Sequence, residues 1–134
     1  MSHVLEHFPK EEIIVLLEKL NSILVPGGKL FLMVPNAQSN TGSYWAYEDF
    51  THYTLFTSGS IYYVLRQSGF NQVLFIDPDC MEGSNIIKGI LKKILLKLYR
   101  INYQFWNKVT GSSFHDESKQ IFSYELKVLA IRDE

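Results

Sequence analysis

The sequence predicts an α/β domain in which buried strands alternate with amphipathic helices. Patterns with helical spacing are followed along the chain by short apolar runs, an order typical of α/β proteins. The first run lacks the alternation of a half-exposed strand, which favours a parallel sheet covered on both faces. A length of 134 residues fits one domain. We therefore assign residues 1–134 to a single domain.

The first helix and strand are predicted between residues 9 and 35. Apolar side chains recur every three to four residues over Glu11–Leu24, which predicts an amphipathic helix with Pro9 at its first position. Leu30–Val34 is an unbroken apolar run between Gly28 and Pro35. This run predicts a strand that is buried on both faces.

A polar, aromatic loop is predicted over Asn36–Phe56, before the second helix and strand. Thr57 or Ser58 can cap this helix, and Gly69 ends it. The apolar run Val73–Ile76 predicts the second strand. Helices and buried strands therefore continue to alternate, as in an α/β sheet.

A basic amphipathic helix is predicted over Ile86–Trp106, and we interpret residues 84–108 as a helical insertion within the domain. Three interpretations stay open: the helix covers the core with its basic face in solvent, closes over a bound ligand, or lies at an anionic lipid surface. A loop over Thr110–Gln120 leads to a last strand, in which apolar residues alternate over Phe122–Ala130. The basic residues of the helix, with no acidic residue among them, are Lys88, Lys92, Lys93, Lys97 and Arg100.

Composition and charge exclude several classes of protein. Hydrophobic residues make up 46% of the chain and charged residues 20%, which is too apolar for a disordered segment. A net charge of -1 lacks the basic surplus of a nucleic-acid-binding domain, so we expect no nucleic-acid partner. The single Cys80 cannot form an internal disulfide, and Met1–Phe8 lacks the basic and apolar regions of a signal peptide. We therefore expect a cytoplasmic protein.

Five short motifs follow one another over residues 3–70. They are His3-Val4-Leu5-Glu6-His7, Leu24-Val25-Pro26-Gly27-Gly28-Lys29-Leu30, Val34-Pro35-Asn36, Asp49-Phe50-Thr51-His52-Tyr53 and Ser68-Gly69-Phe70. In this order they resemble the C-terminal half of a class I S-adenosylmethionine-dependent methyltransferase. The resemblance extends from Met1 to about Ile76, and the final strand resembles the antiparallel strand of that family.

The resemblance implies part of a Rossmann-like methyltransferase sheet, with the later strands, an antiparallel last strand and flanking helices. In that family the glycine-rich cofactor loop and the acidic residue for the cofactor ribose precede the His-Val-Leu-Glu-His segment. We expect this chain to begin after them, because it contains no Gly-x-Gly-x-x-Gly pattern. The chain alone is then expected to bind S-adenosylmethionine weakly or not at all. Its own implied cofactor-binding residues are Ser2, His3, Val4 and Leu5.

The implied activity is transfer of a methyl group to an oxygen or nitrogen of a small molecule or sugar. An acceptor that loses a proton as it attacks needs a base, and histidine suits this role. Asp49 and His52 are the first candidate pair, in which the carboxylate orients the imidazole. Glu6 and His7 are the second pair. A role of His52 that only pins its loop by a hydrogen bond stays an alternative.

Residues that bind the acceptor are expected in and next to the loop 36–56. Asn36 follows a predicted strand, at the end where open α/β sheets bind ligands, although a plain turn role is the alternative. A lipid-linked acceptor also stays open, because the predicted basic helix suits the periphery of a membrane. Aromatic residues can form a wall for a sugar or planar acceptor; they are Tyr44, Trp45, Tyr47 and Tyr53.

His3, Glu6 and His7 also match an inverted zinc-peptidase pattern, His-x-x-Glu-His. That chemistry needs both histidines on one continuous helix, and Pro9 leaves too little chain for one. We therefore expect no metal, and zinc hydrolysis is only a remote alternative.

A non-catalytic module that self-associates or binds a partner is the competing interpretation. A sheet without its first half leaves Leu30–Val34 as an apolar edge, and such an edge has to be covered. A homo-oligomer, most simply a dimer, would cover it. Binding of the cofactor separates such a module from an enzyme.

Overall fold

The computed structural model describes residues 1–112 and 120–133. These residues contain four α-helices, three β-strands and one turn of 3-10 helix. Residues 113–119 of the loop predicted over Thr110–Gln120 lie outside the described residues. In chain order the elements are the 3-10 turn Leu5–His7, α1 (Lys10–Ile23), β1 (Lys29–Pro35), α2 (Gly42–Glu48), α3 (Ser58–Gln67), β2 (Phe70–Ile76), α4 (Ile86–Thr110) and β3 (Glu125–Arg132).

The three strands form one sheet in the order β1-β3-β2. β3 pairs antiparallel with both neighbours, so β1 and β2 run parallel to each other on either side of it. Opposite residues such as Leu32 and Val128 place apolar side chains on the same face of the sheet. The predicted α/β class and the antiparallel last strand are confirmed.

α1 and α3 cover one face of the sheet and bury the hydrophobic core there. Apolar side chains on the inner side of each helix meet every second residue of the strands, as the helical and strand periodicities require. The buried helix residues are Ile13, Leu17, Ile61 and Leu65, and the buried strand residues opposite them are Leu30, Leu32, Val34, Leu126, Val128 and Ala130.

The ends of these helices follow the predicted signals, with one shift. The Thr57 hydroxyl accepts the Ser60 amide at 3.0 Å, and the Ser60 hydroxyl accepts the Thr57 amide at 2.9 Å, a reciprocal cap that starts α3. Gly69 follows α3 with a φ of +89°, a conformation that favours glycine. α1 begins at Lys10 with Pro9 as its N-cap, one residue later than predicted.

The second face of the sheet is open in the described residues. Phe31, Leu74 and Ile76 lie on it and are 39%, 50% and 40% exposed. The prediction that Leu30–Val34 is buried on both faces is therefore wrong for this part of the chain. The reason is that α1 and α3 pack together on the same face.

The segment Met1–His3 adds a short parallel ladder to the outer edge of β1. The Met33 amide donates to the Met1 carbonyl at 3.0 Å, and the His3 amide donates to the Met33 carbonyl at 2.9 Å. The prediction of a bare apolar edge over Leu30–Val34 is wrong at this point, because the first residues of the chain pair with it.

α4 projects from the core, and α2 lies inside the predicted loop 36–56. Gly89 is the buried residue of α4. The Tyr99 hydroxyl donates to the Gln38 carbonyl at 3.2 Å, and the Lys92 ammonium donates to the Cys80 carbonyl. The interpretation that α4 covers the core is wrong, because its apolar stripe stays more than half exposed. None of the described helices, α4 included, is long and apolar enough to cross a membrane.

We expect the open face of the sheet to drive self-association. Leu74→Lys places a charge in this face and should shift a dimer or larger species toward monomer at micromolar concentration. Sedimentation velocity measures the shift, and Ile23→Lys, at a site that is 76% exposed on α1, is the matched control. A monomeric wild-type chain would rule this interface out, and association that persists in Leu74→Lys would assign it to another surface.

Candidate functional site

The predicted catalytic residues come from two segments that meet beyond the carboxyl end of β1: the 3-10 turn Leu5–His7 and the turn 49–54. The Glu6 carbonyl accepts the backbone amides of Tyr53 and Thr54 at 2.8 and 3.1 Å. These two bonds hold the second segment against the first. The first and fourth sequence motifs therefore form one cluster.

His7 is oriented by Thr51 and, through it, by Asp49. The Thr51 hydroxyl lies 2.7 Å from His7 Nδ1 and 2.7 Å from Asp49 Oδ1. Because the carboxylate can only accept, the hydroxyl donates its proton to Asp49 and accepts from His7 Nδ1–H. The Thr51 carbonyl, 3.2 Å from the same nitrogen, favours the same tautomer. The neutral His7 ring then carries its lone pair on Nε2.

His52 is held by the backbone of α2. Its Nδ1 donates to the Trp45 carbonyl at 2.8 Å, so the neutral ring also presents its lone pair on Nε2. Asp49 Oδ2 lies 3.8 Å from His52 Nε2, an ion-pair distance that is too long for a hydrogen bond. The predicted pair is thus brought together, but the Trp45 carbonyl orients the imidazole. Hydrogen bonds from the Thr51 hydroxyl and amide hold the pKa of Asp49 below its usual value.

Glu6 is a buried carboxylate with few partners. It is 0% exposed, and neither carboxylate oxygen has a hydrogen-bond partner among the described residues. His3 Nδ1 lies 3.2 Å from Glu6 Oε1, within ion-pair distance but without hydrogen-bond geometry. His3 Nε2 lies 2.9 Å from Oε1 of Glu125, which is also buried. His3 thus bridges two buried carboxylates.

Glu6, His7 and His52 form a compact group of potential proton acceptors or metal ligands. One such atom from each residue lies within 4.8 Å of the others. The two imidazole rings meet edge-on with centroids 4.7 Å apart. The zinc-peptidase arrangement is not formed, because His3 turns toward Glu125 and His52 from another motif stands beside His7.

Asn36 is a buried residue at the carboxyl end of β1. Its side-chain NH2 group donates to the carbonyls of Ile121 and Ser123, both at 2.8 Å, and its Oδ1 accepts the Gln38 amide at 3.0 Å. The residue is 0% exposed. This geometry contradicts the predicted contact of Asn36 with a substrate and matches the turn role, because the side chain is used to join β1 to the segment before β3.

The predicted aromatic wall is an exposed surface beside His52. Tyr44 and Trp45 pack edge-to-face on α2 with ring centroids 5.3 Å apart. Tyr47 and Tyr53 are 80% and 67% exposed. A ligand could reach all four rings from solvent, but they do not enclose it.

Of the predicted cofactor-binding residues, Ser2 and His3 lie in the parallel ladder at the edge of β1, and Val4 and Leu5 follow it. Ser2, His3 and Val4 are exposed there, at the end of the sheet where α/β proteins bind ligands. Leu5 is 0% exposed within the core, so its side chain has no surface for a cofactor. His3 has a φ of +50°, which turns the chain from the ladder into the 3-10 turn.

Comparison with known protein families points to the segment that holds this cluster. Residues 1–74, more than half of the chain, match the methyltransferase domain family. The chain belongs to this methyltransferase family. The match contains Glu6, His7 and His52 and ends within β2. The resemblance carried by the five motifs is confirmed.

A solved structure has a similar fold over almost all of this chain. A SAM dependent methyltransferase from Archaeoglobus fulgidus matches with a TM-score of 0.60 and 17% sequence identity, over 98% of this chain and 57% of that protein. At this identity the likeness shows the fold alone. The chain spans little more than half the length of that protein. No curated protein matches its sequence significantly.

Two groups of the site were missed in the sequence, the Thr51 hydroxyl and the Trp45 carbonyl. A signal for Thr51 exists, since an aspartate side chain commonly accepts the amide two residues later, as Asp49 Oδ1 does here at 2.9 Å. The Trp45 carbonyl has no such signal, because every residue carries a carbonyl. Only the folded position of α2 selects it.

We expect Asn36→Ala to lower the free energy of unfolding by about 2 kcal/mol or more, because buried carbonyls lose their donor. Asn102→Ala, at an exposed position of α4, is the matched control and should change stability little. Urea unfolding followed by circular dichroism measures both. Equal stabilities of the two variants would show that the Asn36 side chain does not hold β1 to the segment 121–123.

Proposed function

We propose that this chain carries the acceptor side of a site that transfers a methyl group from S-adenosylmethionine to an oxygen or nitrogen of a small molecule or sugar. The observation that carries the proposal is the group of Glu6, His7 and His52 within the segment that matches the family. The group lies beyond the carboxyl end of β1, the side on which α/β sheets bind ligands. The competing proposal, a non-catalytic module, does not explain two oriented imidazoles.

In this proposal the two histidines hold the acceptor and take its proton. Nδ1 of His7 and of His52 faces a protein oxygen, so both Nε2 lone pairs are available. Nε2 can accept a hydrogen bond from the acceptor's O–H or N–H and remove the proton as the methyl group arrives. Asp49 is a positioning residue, because it acts on His7 through Thr51.

S-adenosylmethionine supplies an activated methyl group when it is bound. We propose that Ser2, His3 and Val4 contribute to its site, since they are exposed beside the cluster at the end of the parallel ladder. The family's glycine-rich loop is not among these 134 residues, so the chain alone should bind the cofactor weakly or not at all. Exposed rings near His52 suit stacking against a sugar; they are Tyr44, Trp45, Tyr47 and Tyr53.

A methyl-transfer assay on the full-length protein tests the proposal. Radiolabelled S-adenosylmethionine and a panel of sugars, alcohols and amines provide the assay. We expect His7→Ala and His52→Ala each to lower the rate by about a hundredfold or more, the usual size of a general-base or positioning effect, with little change in Tm. Asp49→Asn should lower it by a smaller factor, and the exposed control Glu12→Gln should leave it unchanged.

A loop-pinning role of His52 predicts the opposite result. The Tm of His52→Ala would then fall, while the folded variant would keep its rate. Wild-type rates in both histidine variants would overturn the assignment of these residues to the acceptor.

We further propose that the acceptor is lipid-linked and that α4 binds an anionic membrane from the cytoplasmic side. α4 contains six basic residues and no acidic one. An exposed apolar stripe flanked by basic residues is typical of helices that lie in the interface, where each basic residue contributes about 1 kcal/mol. The stripe has residues three or four positions apart, each more than half exposed: Ile90, Ile94, Leu98, Ile101 and Phe105.

A groove beside α4 offers space for the lipid part of such an acceptor. Its volume is about 440 Å³. Apolar side chains in its wall suit a hydrocarbon chain, and two lysines suit a phosphate group. Its lining includes Leu91, Leu95, Tyr99 and Phe122, with Lys88 and Lys92 as the basic residues.

Co-sedimentation with vesicles tests the membrane proposal. We expect binding to vesicles that contain phosphatidylglycerol and none to pure phosphatidylcholine, with weaker binding at high salt. Lys93→Glu combined with Lys97→Glu should abolish it, whereas Lys10→Glu combined with Lys19→Glu, exposed on α1, should not. Equal binding to both vesicle types, or to neither, would overturn the proposal. Dissociation of a dimer by Leu98→Glu would assign α4 to self-association instead.

A further inference from the structure

Three potential metal ligands converge in the cluster beyond the carboxyl end of β1. We infer that Glu6, His7 and His52 bind one divalent transition-metal ion, such as Zn²⁺, through a carboxylate and two imidazole nitrogens. One ligand atom of each residue lies within 4.8 Å of the others. Ligands of a tetrahedral zinc ion are about 3.4 Å apart, given bonds of about 2.1 Å. The three ligand atoms therefore have to move closer together before one ion can bind all of them.

The hydrogen bonds of both imidazoles match those of metal ligands. Nδ1 of His7 donates to the Thr51 oxygens, and Nδ1 of His52 donates to the Trp45 carbonyl. In metal sites the ring nitrogen that does not bind the metal commonly donates to such an oxygen, which fixes the tautomer and the ring orientation. Both Nε2 atoms are left as ligands.

The burial of the Glu6 carboxylate is the second, independent observation. The side chain is 0% exposed and its oxygens lack hydrogen-bond donors among the described residues. The basic side chain beside it is His3, which also contacts the buried Glu125. One imidazolium cannot neutralise two carboxylates, and an uncompensated buried charge is strongly unfavourable. A divalent cation supplies the missing positive charge and uses the free oxygen lone pairs.

Two nitrogens and one carboxylate oxygen are a donor set typical of zinc and related metals. Three protein ligands leave a coordination position open, as in catalytic zinc sites. With the ion bound, both Nε2 lone pairs bind the metal, so the histidines hold the ion and the acceptor's oxygen or nitrogen takes the open position instead of a hydrogen bond to Nε2. The location of the acceptor rests on the proposed function, but binding of the ion does not. The inference replaces the expectation of no metal, which considered only His3 and His7 and not the distant His52.

Metal binding is measured on residues 1–134, purified without a histidine tag and freed of metal by a chelator. Titration with Zn²⁺ in competition with a chromophoric chelator should give one ion per chain and a Kd of about one micromolar or below. Glu6→Gln should weaken binding by about a hundredfold or more, because it removes a ligand and not merely a supporting group. Glu12→Gln, exposed on α1, is the matched control and should bind like the wild type.

Thermal unfolding separates loss of binding from loss of fold. Zn²⁺ should raise the Tm of the wild type, because an ion that binds only the folded chain stabilises it, and should leave the Tm of Glu6→Gln unchanged. Without metal, Glu6→Gln should be at least as stable as the wild type, since a neutral amide is less costly to bury.

If Glu6→Gln fails to fold, His52→Ala replaces it and should also lose binding of Zn²⁺. Absence of saturable binding by the wild type, or equal affinity in wild type and variant, would overturn the site. Bound zinc without methyl transfer would count against the proposed function alone.

Discussion

The pairing of β3 with both parallel strands is the interaction on which the rest of the structure depends. Val128 lies opposite Leu32 of β1 and opposite Phe75 of β2, so one strand joins two units that do not pair with each other. The layer of α1 and α3 rests on the face that this pairing creates. Because β3 is last in the chain, the common core needs contacts between residues far apart in sequence, which form slowly.

Hydrogen bonds connect this sheet to the cluster of Glu6, His7 and His52. The Asn36 amide donates to the Tyr124 carbonyl at 2.9 Å just before β3, and the Ala37 amide donates to the Phe56 carbonyl at 2.8 Å. The connection from Ala37 to Phe56, which leads from β1 to α3, is therefore held at both ends by hydrogen bonds. Its turn 49–54 is then held by the carbonyl of Glu6. His52 thus lies on a loop but is positioned by a rigid scaffold, as functional loop residues commonly are.

The sequence allowed α1, β1, α3 and β2 to be predicted because their periodicity depends on burial against one core. It did not reveal which face of the sheet stays open, since the apolar run Leu30–Val34 has the same composition whether one face or two are covered. The stripe of α4 was recognised for the same reason, but periodicity does not say what covers a stripe. The spacing of Asp49 and His52 suggested that the carboxylate orients the imidazole, whereas an aspartate turn directs the carboxylate to Thr51. The approach of His52 to His7 depends on tertiary structure and had no local signal.

Buried polar residues at this end of the sheet differ in whether their polar atoms have hydrogen-bond partners. This difference distinguishes a residue that the fold explains from one that it does not. Asn36 uses both its donors and its oxygen within the protein, so its burial is explained by the fold. Glu6 is equally buried but its oxygens have no donor among the described residues, and the neighbouring His3 takes a left-handed backbone conformation. Such local costs are tolerated where a ligand or a reaction repays them, and they cluster at functional sites. The unsatisfied carboxylate, more than the histidine motif in which it lies, is therefore the feature that favours the proposed site at this end of the sheet.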